Sequence, residues 1–269
     1  MPLDKDFVFS ANSLQDYVDC PRRFELKYIL NQSWPAIISQ PVQKLEEKMA
    51  QGSDFHRLAR QFLEGLPLEK LSGSIRSPLV RDWLERFSGF ISSFRNNPYF
   101  TEFASFTTIE GFRVVAVFDF IACLDDGQFI IADWKTTESQ PRRDFYLERI
   151  QTLLYPLVAY ETVKPIFGIK DEISPSDISL LYWFSAFPEK SIEFPYSANQ
   201  LQHDKTYFSN LIREIAGKEA GEFSKTDDHR RCDFCQYRSL CDRGVEAASM
   251  GESREIDIDA LIESMDFDQ

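Results

Sequence analysis

The sequence places an aspartate pair and a lysine on one face of a predicted β-hairpin. The turn Asp125-Asp126-Gly127 separates two stretches rich in valine, isoleucine and phenylalanine, the pattern of two antiparallel strands. Counting outward from this turn sets Asp119 opposite Asp133, with Cβ atoms about 5 Å apart. Lys135 lies two residues beyond Asp133 and therefore points to the same face. Two acids and a base are thus expected to converge.

Two arrangements would explain such a cluster. The residues around it are apolar on both faces of the strands, so the two carboxylates are expected to be poorly solvated. Buried carboxylates this close repel, and one of them takes up a proton unless a cation keeps both ionised. Magnesium or manganese would do so. The alternative is a salt bridge among Asp119, Asp133 and Lys135 without a metal, and the spacing alone leaves both open.

The cysteines form a second candidate site. Cys232-x2-Cys235-x5-Cys241 puts three thiolates in a short basic and aromatic loop, and three thiolates need a fourth ligand. From this triplet alone, zinc and an iron-sulfur cluster are equally plausible, and unligated cysteines are the third possibility. Cys123 lies among apolar residues of a predicted strand and is expected to be a small core residue.

These residues must be positioned by a mixture of helices and strands. Apolar residues recur at helical spacing through most of the first hundred residues, including a helical insertion at about 60–100. A helix is also expected around residues 147–158 and another over 197–216. The predicted strands are Phe106 to Ile109, Phe112 to Leu124, Gln128 to Lys135, Ile178 to Phe187 and Ile192 to Phe194. The pattern predicts an α/β fold with a mixed sheet flanked by helices.

The order of these residues resembles a known nuclease family. Asp119 followed across the hairpin by Asp133-Trp134-Lys135 resembles the PD-(D/E)xK nuclease core. Gln151-x3-Tyr155 on the next helix is similar to the motif of the RecB-like branch, and Gly52-x3-His56 is similar to its upstream histidine element. The resemblance implies a restriction-endonuclease-like sheet core. It also implies catalytic and metal-binding roles, for Asp119, Asp133, Lys135, Gln151 and Tyr155 as catalytic residues and for His56, Asp119, Asp133 and Trp134 as metal ligands.

The same resemblance bears on the cysteines. Cys20, before the core, is similar to the N-terminal cysteine of iron-sulfur nucleases such as the CRISPR-associated single-domain exonucleases and the AddB nuclease domain. These proteins carry one cysteine before the core and three after it, with this spacing. The resemblance therefore implies a 4Fe-4S cluster held by Cys20, Cys232, Cys235 and Cys241. Such a cluster would join the N- and C-terminal segments of one nuclease domain, residues 1–243.

Charge patterning separates the last residues from this domain. The net charge of −13 argues at first against nucleic acid, but the acidic tail 252–269 carries −6 of it. Arginines also occur in local clusters, which are either a track for DNA or ordinary surface residues. Residues 244–269 are expected to form an acidic C-terminal tail, in which an amphipathic helix over 257–266 either docks on a partner protein, competes with DNA on the nuclease surface, or is a frayed terminus.

The expected function is metal-dependent hydrolysis of DNA. The resemblance implies an exonuclease acting on single-stranded DNA or DNA ends with magnesium or manganese. A non-catalytic iron-sulfur or zinc DNA-binding module, in a DNA repair or CRISPR-type complex, is the alternative, and an electron carrier is a weaker one. No apolar run approaches the roughly 20 residues of a membrane span, and no signal peptide is evident at the N-terminus, so a cytoplasmic protein with no membrane partner is expected.

Overall fold

The computed structural model describes residues 3–32 and 40–244 of the chain. The predicted amphipathic helix in the acidic tail lies outside the described residues. Within them, no helix is long and apolar enough to cross a membrane.

A six-stranded mixed sheet forms the centre of the described part. Its strands are β1 Val8–Ser10, β2 Tyr99–Ile109, β3 Phe112–Cys123, β4 Phe129–Lys135, β5 Ile178–Phe184 and β6 Ile192–Pro195. The order is β1-β3-β4-β5-β6, and β2 pairs with β3 in addition. β1 runs parallel to β3 and β4 parallel to β5, whereas the other pairs are antiparallel. The predicted mixed sheet of a restriction-endonuclease-like fold is therefore confirmed.

Helices cover both faces of this sheet. They are α1 Ala11–Asp19, α2 Pro21–Phe24, α3 Gln40–Leu63, α4 Leu68–Ser74, α5 Pro78–Ile91, α6 Arg143–Leu147, α7 Ile150–Phe167 and α8 Ala198–Ala216. α1, α7 and α8 pack on one face and form the first core. α3, α4 and α5 pack on the other face and form the second core. Each face of the sheet is thus buried, which explains why every residue of β4 is buried.

The segment at about 60–100 supplies much of the second helical layer. α5 begins where the Ser77 side chain accepts a hydrogen bond from the backbone of Val80, and Pro78 occupies its first turn. Its buried residues recur at helical spacing and pack on the sheet through Val80, Trp83, Leu84, Phe87 and Ile91. Without this layer, the β4 face that carries Trp134 would be exposed, because Phe87 packs edge-on against Trp134 with ring centroids 4.7 Å apart.

The hairpin register follows the turn, as predicted. Gly127 has φ of +85°, and the Leu124 amide donates to the Gln128 carbonyl at 2.8 Å. The β3 and β4 ladder then runs from Cys123↔Phe129 to Phe120↔Ala132. Asp119 and Asp133 form the next position, immediately beyond the last ladder pair. The two carboxylates therefore stand where the strands begin to separate.

The alternation of β3 breaks at the same position. Ala116, Phe118 and Ile121 all belong to the first core, although Phe118 and Ile121 are three residues apart. Regular alternation would have put Phe118 in the second core beside Phe120. On the neighbouring strand, Glu102 has φ of +47° and is skipped in the β2 and β3 ladder, opposite Asp119. Because of this irregular backbone, Asp119 is not part of the regular ladder with either β2 or β4.

Candidate active site

A buried triangle of polar contacts joins β4 to the first turn of α7. The Asp133 Oδ2 and Lys135 Nζ atoms lie 2.8 Å apart. The Gln151 Nε2 atom donates to Asp133 Oδ1 at 2.7 Å, and Lys135 Nζ donates to Gln151 Oε1 at 2.8 Å. Asp133 and Lys135 are each only 1% exposed. The period of two along β4 places both on the α7 face, and Gln151 closes the triangle from that helix.

Tyr182 supports this triangle and was missed in the sequence analysis. It lies on β5 opposite Asp133 in the parallel ladder. Its hydroxyl donates to Gln151 Oε1 at 3.4 Å and lies 2.9 Å from Thr152 Oγ1. Lys135 Nζ stands 5.3 Å from the centre of its ring. No motif marks Tyr182, because its position depends on which strand pairs with β4.

Tyr155 lies one helical turn after Gln151, as the spacing predicted. It is buried, and its ring packs edge-on against Phe118 with centroids 5.2 Å apart. Gln151 and Tyr155 therefore share the face of α7 that points to the sheet. The break in β3 alternation is what brings Phe118 to this ring.

Asp119 lies beside a second group of ligand atoms on the α3 side. Its Oδ2 atom accepts a hydrogen bond from the Trp134 backbone amide at 2.8 Å and lies 3.4 Å from His56 Nδ1. His56, Glu102 and Asp119 each place one oxygen or nitrogen atom within 4.8 Å of the others. Among the described residues no other group of three acidic, histidine or cysteine side chains does so. One imidazole and two carboxylates form a donor set suited to a divalent cation.

Glu102 is the residue of this group that the sequence analysis did not identify. It lies in β2, four residues before the predicted start of a strand at Phe106, because β2 begins at Tyr99. Its left-handed backbone conformation, uncommon for glutamate, occurs opposite Asp119. The only signal in the sequence is a glutamate among aromatic and threonine residues.

The predicted site residues are thus brought together in two groups. Asp133, Lys135 and Gln151 contact one another, while Asp119 lies with His56 and Glu102. The hydrogen bond from the Trp134 amide to Asp119 connects the groups, because Trp134 lies between Asp133 and Lys135 in β4. The indole of Trp134 points to the second core instead.

The four cysteines predicted to act together line one pocket. Cys20 lies between α1 and α2, and Cys232 and Cys241 end two short 3₁₀ turns, with Cys235 between them. No three of their sulfur atoms lie within 4.8 Å of one another. Cys123 is not among the lining residues. It ends β3, is partly buried and packs against the first core.

Cations surround this pocket. Its lining includes Arg23, Lys225, Arg231, Arg238 and Arg243. Burial raises the pKa of the Cys235 thiol to about 11, and the neighbouring Arg23 guanidinium opposes that shift. Burial likewise raises the pKa of the Cys241 thiol. Thiolate ligands here would have to be stabilised by a bound metal and by these cations.

Protein contacts alone also hold the two ends of the described chain together around this pocket. The Phe24 and Phe223 rings stack with centroids 6.1 Å apart, and the Arg22 amide donates to the Ser224 carbonyl at 3.0 Å. The buried Glu25 carboxylate accepts from the Gly221 amide at 2.6 Å. Residues near Cys20 are therefore fixed against residues 221–224 without any metal.

The predicted arginine clusters are mostly paired with acids. Contacts below 4.0 Å join Arg23 to Asp16 and Asp19, Arg57 to Asp54, Arg60 to Glu64, Arg142 to Asp144, and Arg230 and Arg231 to Asp228. The pairs of Arg57, Arg60 and Arg142 are exposed and contribute little stability, so a phosphate can replace the acid at little cost.

The chain was compared with known proteins. It matches the family profile described as the PD-(D/E)XK nuclease superfamily over residues 8–242. A solved structure from Eubacterium rectale, described as "Putative exonuclease", is similar at 12% identity and a TM-score of 0.51, over 87% of this chain and 88% of that chain. The structure of SSO0001 is similar at 15% identity and a TM-score of 0.42, over 89% and 87%. No curated protein sequence gives a significant match.

Proposed function

The chain belongs to the PD-(D/E)XK nuclease superfamily, and from this premise we propose that it is a magnesium- or manganese-dependent deoxyribonuclease acting on single-stranded DNA or DNA ends. One observation carries the proposal. Asp119 lies with His56 and Glu102 in a group of side chains suited to a divalent cation, and the adjacent strand β4 carries Lys135 beside Asp133. The preference for strands with free ends rests on the resemblance of the cysteine pattern to that of single-domain exonucleases.

The residues fit a hard divalent cation. His56, Glu102 and Asp119 would hold it, with Asp133 and the Trp134 backbone nearby in β4. Two carboxylates near one another repel, and a divalent charge between them removes that repulsion. A bound cation of this type lowers the pKa of a coordinated water and neutralises charge that develops on the phosphate.

In the proposed reaction, Lys135 acts on the reacting groups. Its ammonium is held by Asp133 and Gln151 in a site from which solvent is excluded, so its position is fixed before DNA binds. A fixed cation beside the scissile phosphate can orient the attacking water and stabilise the transition-state charge without reorganisation. Gln151 holds both partners, and the buried Tyr155, one turn later, packs the same face of α7 against the sheet.

The direct test is cleavage of labelled DNA by protein purified without oxygen. Linear single strands, linear duplex and closed circles would be incubated with Mg²⁺, Mn²⁺ or EDTA. We expect cleavage of linear single strands that requires the cation and spares closed circles. Cleavage of closed circles, which have no ends, would show that the protein is an endonuclease and not an exonuclease. Binding of DNA without cleavage by any cation would instead favour the non-catalytic binding module.

Glu102 provides a test of the ligand set. Glu102→Gln removes one anionic ligand while it keeps the size of the side chain, so we expect the Mn²⁺ concentration for half-maximal cleavage to rise about tenfold or more. The measurement is a Mn²⁺ titration of initial rates. Glu110→Gln is the matched control, because Glu110 also has positive φ, at the other end of β2, but pairs with Arg213. An unchanged titration curve would remove Glu102 from the ligand set.

We also propose that the four pocket cysteines bind a 4Fe-4S cluster. In a tetrahedral zinc site with Zn–S bonds of about 2.3 Å, sulfur atoms lie about 3.8 Å apart. No three of the pocket sulfurs lie within 4.8 Å of one another, so the thiols do not stand at that spacing. The resemblance of the cysteine pattern to that of iron-sulfur nucleases favours a cluster, and the surrounding cations suit a group with anionic ligands.

Cysteine substitutions test this assignment. We expect Cys20→Ser and Cys235→Ser to lose nearly all iron and acid-labile sulfide, whereas the control Cys123→Ser keeps both. The fold should survive, since residues 20–25 and 221–224 hold each other through the contacts described above. Iron, sulfide and zinc analysis after anaerobic purification is the measurement. Stoichiometric zinc without iron in the unsubstituted protein would contradict the proposal.

A further inference from the structure

Gln15 joins α1 to the start of α7. Its side chain is buried, and its Oε1 atom accepts a hydrogen bond from the Ile150 backbone amide at 3.0 Å. Amides in the first turn of a helix have no partner within the helix. Arg149, which precedes α7, provides no side-chain cap. Gln15 therefore caps α7 from a position 135 residues away in the sequence.

The other end of the same amide points to the cysteine pocket. Gln15 Nε2 donates to Asp19 Oδ1 at 2.9 Å, and that carboxylate pairs with Arg231 at 3.0 Å and with Arg23 at 2.9 Å. Both arginines line the pocket. Asp19 directly precedes Cys20 in the sequence, and Arg231 directly precedes Cys232.

The α7 end leads directly to the candidate active site. Ile150 is the first residue of α7, and the next residue, Gln151, contacts both Asp133 and Lys135. A shift of the Ile150 backbone would move Gln151 with it, because the two residues belong to one helical turn. Successive contacts thus connect Arg231 to Lys135: Arg231 to Asp19, Asp19 to Gln15, Gln15 to the start of α7, and Gln151 in α7 to Lys135.

We infer that Gln15 is a positioning residue through which the cysteine pocket controls the placement of Gln151 and Lys135. This inference rests on the proposed nuclease function. Gln15 touches no reacting group, so its effect should appear in the rate of the chemical step and not in DNA binding. Small displacements of a catalytic group cost up to about a hundredfold in rate, and we expect about a tenfold loss here.

Three substitutions of Gln15 separate capping from the link to Asp19. Gln15→Leu removes both hydrogen bonds, and Gln15→Asn is too short to span Ile150 and Asp19 but keeps an amide at the site. Both should lower kcat about tenfold with KM for DNA unchanged. Gln15→Glu repels Asp19 and therefore breaks the link to the cysteine pocket. It still accepts from the Ile150 amide, and because the cap on α7 is kept, its kcat should stay near that of the unsubstituted protein. Asn12→Leu, on the same helix, is the control.

Two further readouts complete the test. Hydrogen exchange at residues 148–154 should accelerate in Gln15→Leu and Gln15→Asn but not in Gln15→Glu. Arg231→Gln should lower kcat in the unsubstituted protein, at equal iron content, and have no effect in the Gln15→Glu background. Unchanged kcat and exchange in Gln15→Leu and Gln15→Asn, or additive effects of Arg231→Gln and Gln15→Glu, would overturn the inference. Absence of cleavage in the unsubstituted protein would overturn the proposed function instead, and the exchange data would still report capping.

Discussion

Asp119→Asn is expected to abolish metal-dependent cleavage, with a rate loss of about a thousandfold or more, while the fold is retained. Asparagine keeps an oxygen that accepts the hydrogen bond from the Trp134 amide, so the β3 and β4 strands stay in place. The substitution removes the negative charge that the ligand set offers to the cation. Metal ions supply several kcal/mol of transition-state stabilisation, and each 1.36 kcal/mol is tenfold in rate.

The measurement is the initial rate on labelled single-stranded DNA with Mn²⁺, together with thermal unfolding. Asp125→Asn is the matched control, because Asp125 lies exposed in the turn of the same hairpin. This variant should cleave DNA at the rate of the unsubstituted protein. If Asp119→Asn cleaved DNA at the rate of the control, the ligand set assigned around His56 would be wrong.

Lys135→Met is expected to cause the largest loss of stability. Lys135 and Asp133 form a buried ion pair, and removal of one partner leaves a carboxylate buried beside a methionine. Breaking a buried pair in this way costs about 3–5 kcal/mol in the free energy of unfolding. The measurement is denaturant unfolding in EDTA, where no added cation compensates the carboxylate. Cleavage should also be lost, since no cation remains at the position of Lys135.

Removal of the second charge should recover much of this stability. In the double variant Asp133→Asn/Lys135→Met, the buried charge is gone and Gln151 still donates to the remaining side-chain oxygen. The control is Lys48→Met, which breaks the more exposed pair with Glu138 and should cost no more than about 1 kcal/mol. A double variant that is less stable than Lys135→Met would contradict the interpretation that the buried charge dominates.

The sequence alone determined the parts of this protein that depend on neighbouring residues. The turn at Gly127 defined the β3 and β4 register, and the period of two along β4 put Asp133 and Lys135 on one face. Helical spacing put Gln151 and Tyr155 on one face of α7. These predictions succeeded because steric limits on a turn and the repeat of a strand or helix act over a few residues.

Short or interrupted elements were predicted less well. β1 has three residues and carries no detectable period, so it was not predicted. Within the first hundred residues, where helical spacing was found, the helix that begins at Pro21 changes after Phe24 into a π-helical turn, Glu25–Ile29. The break at residues 148 and 149 divides α6 from α7 within a single predicted helix. In each case the local sequence pattern is compatible with several backbone conformations, and tertiary packing determines which of them is adopted.

The tertiary structure decided what surrounds the motifs. Glu102 reaches His56 only because β2 pairs with β3 and both strands are irregular opposite one another. Tyr182 supports Gln151 only because β5 pairs with β4, and Gln15 caps α7 only because α1 packs against it. These contacts join residues 31 to 135 positions apart. No periodicity encodes such pairs, because they arise when distant apolar faces are buried together and the buried polar groups must then find partners.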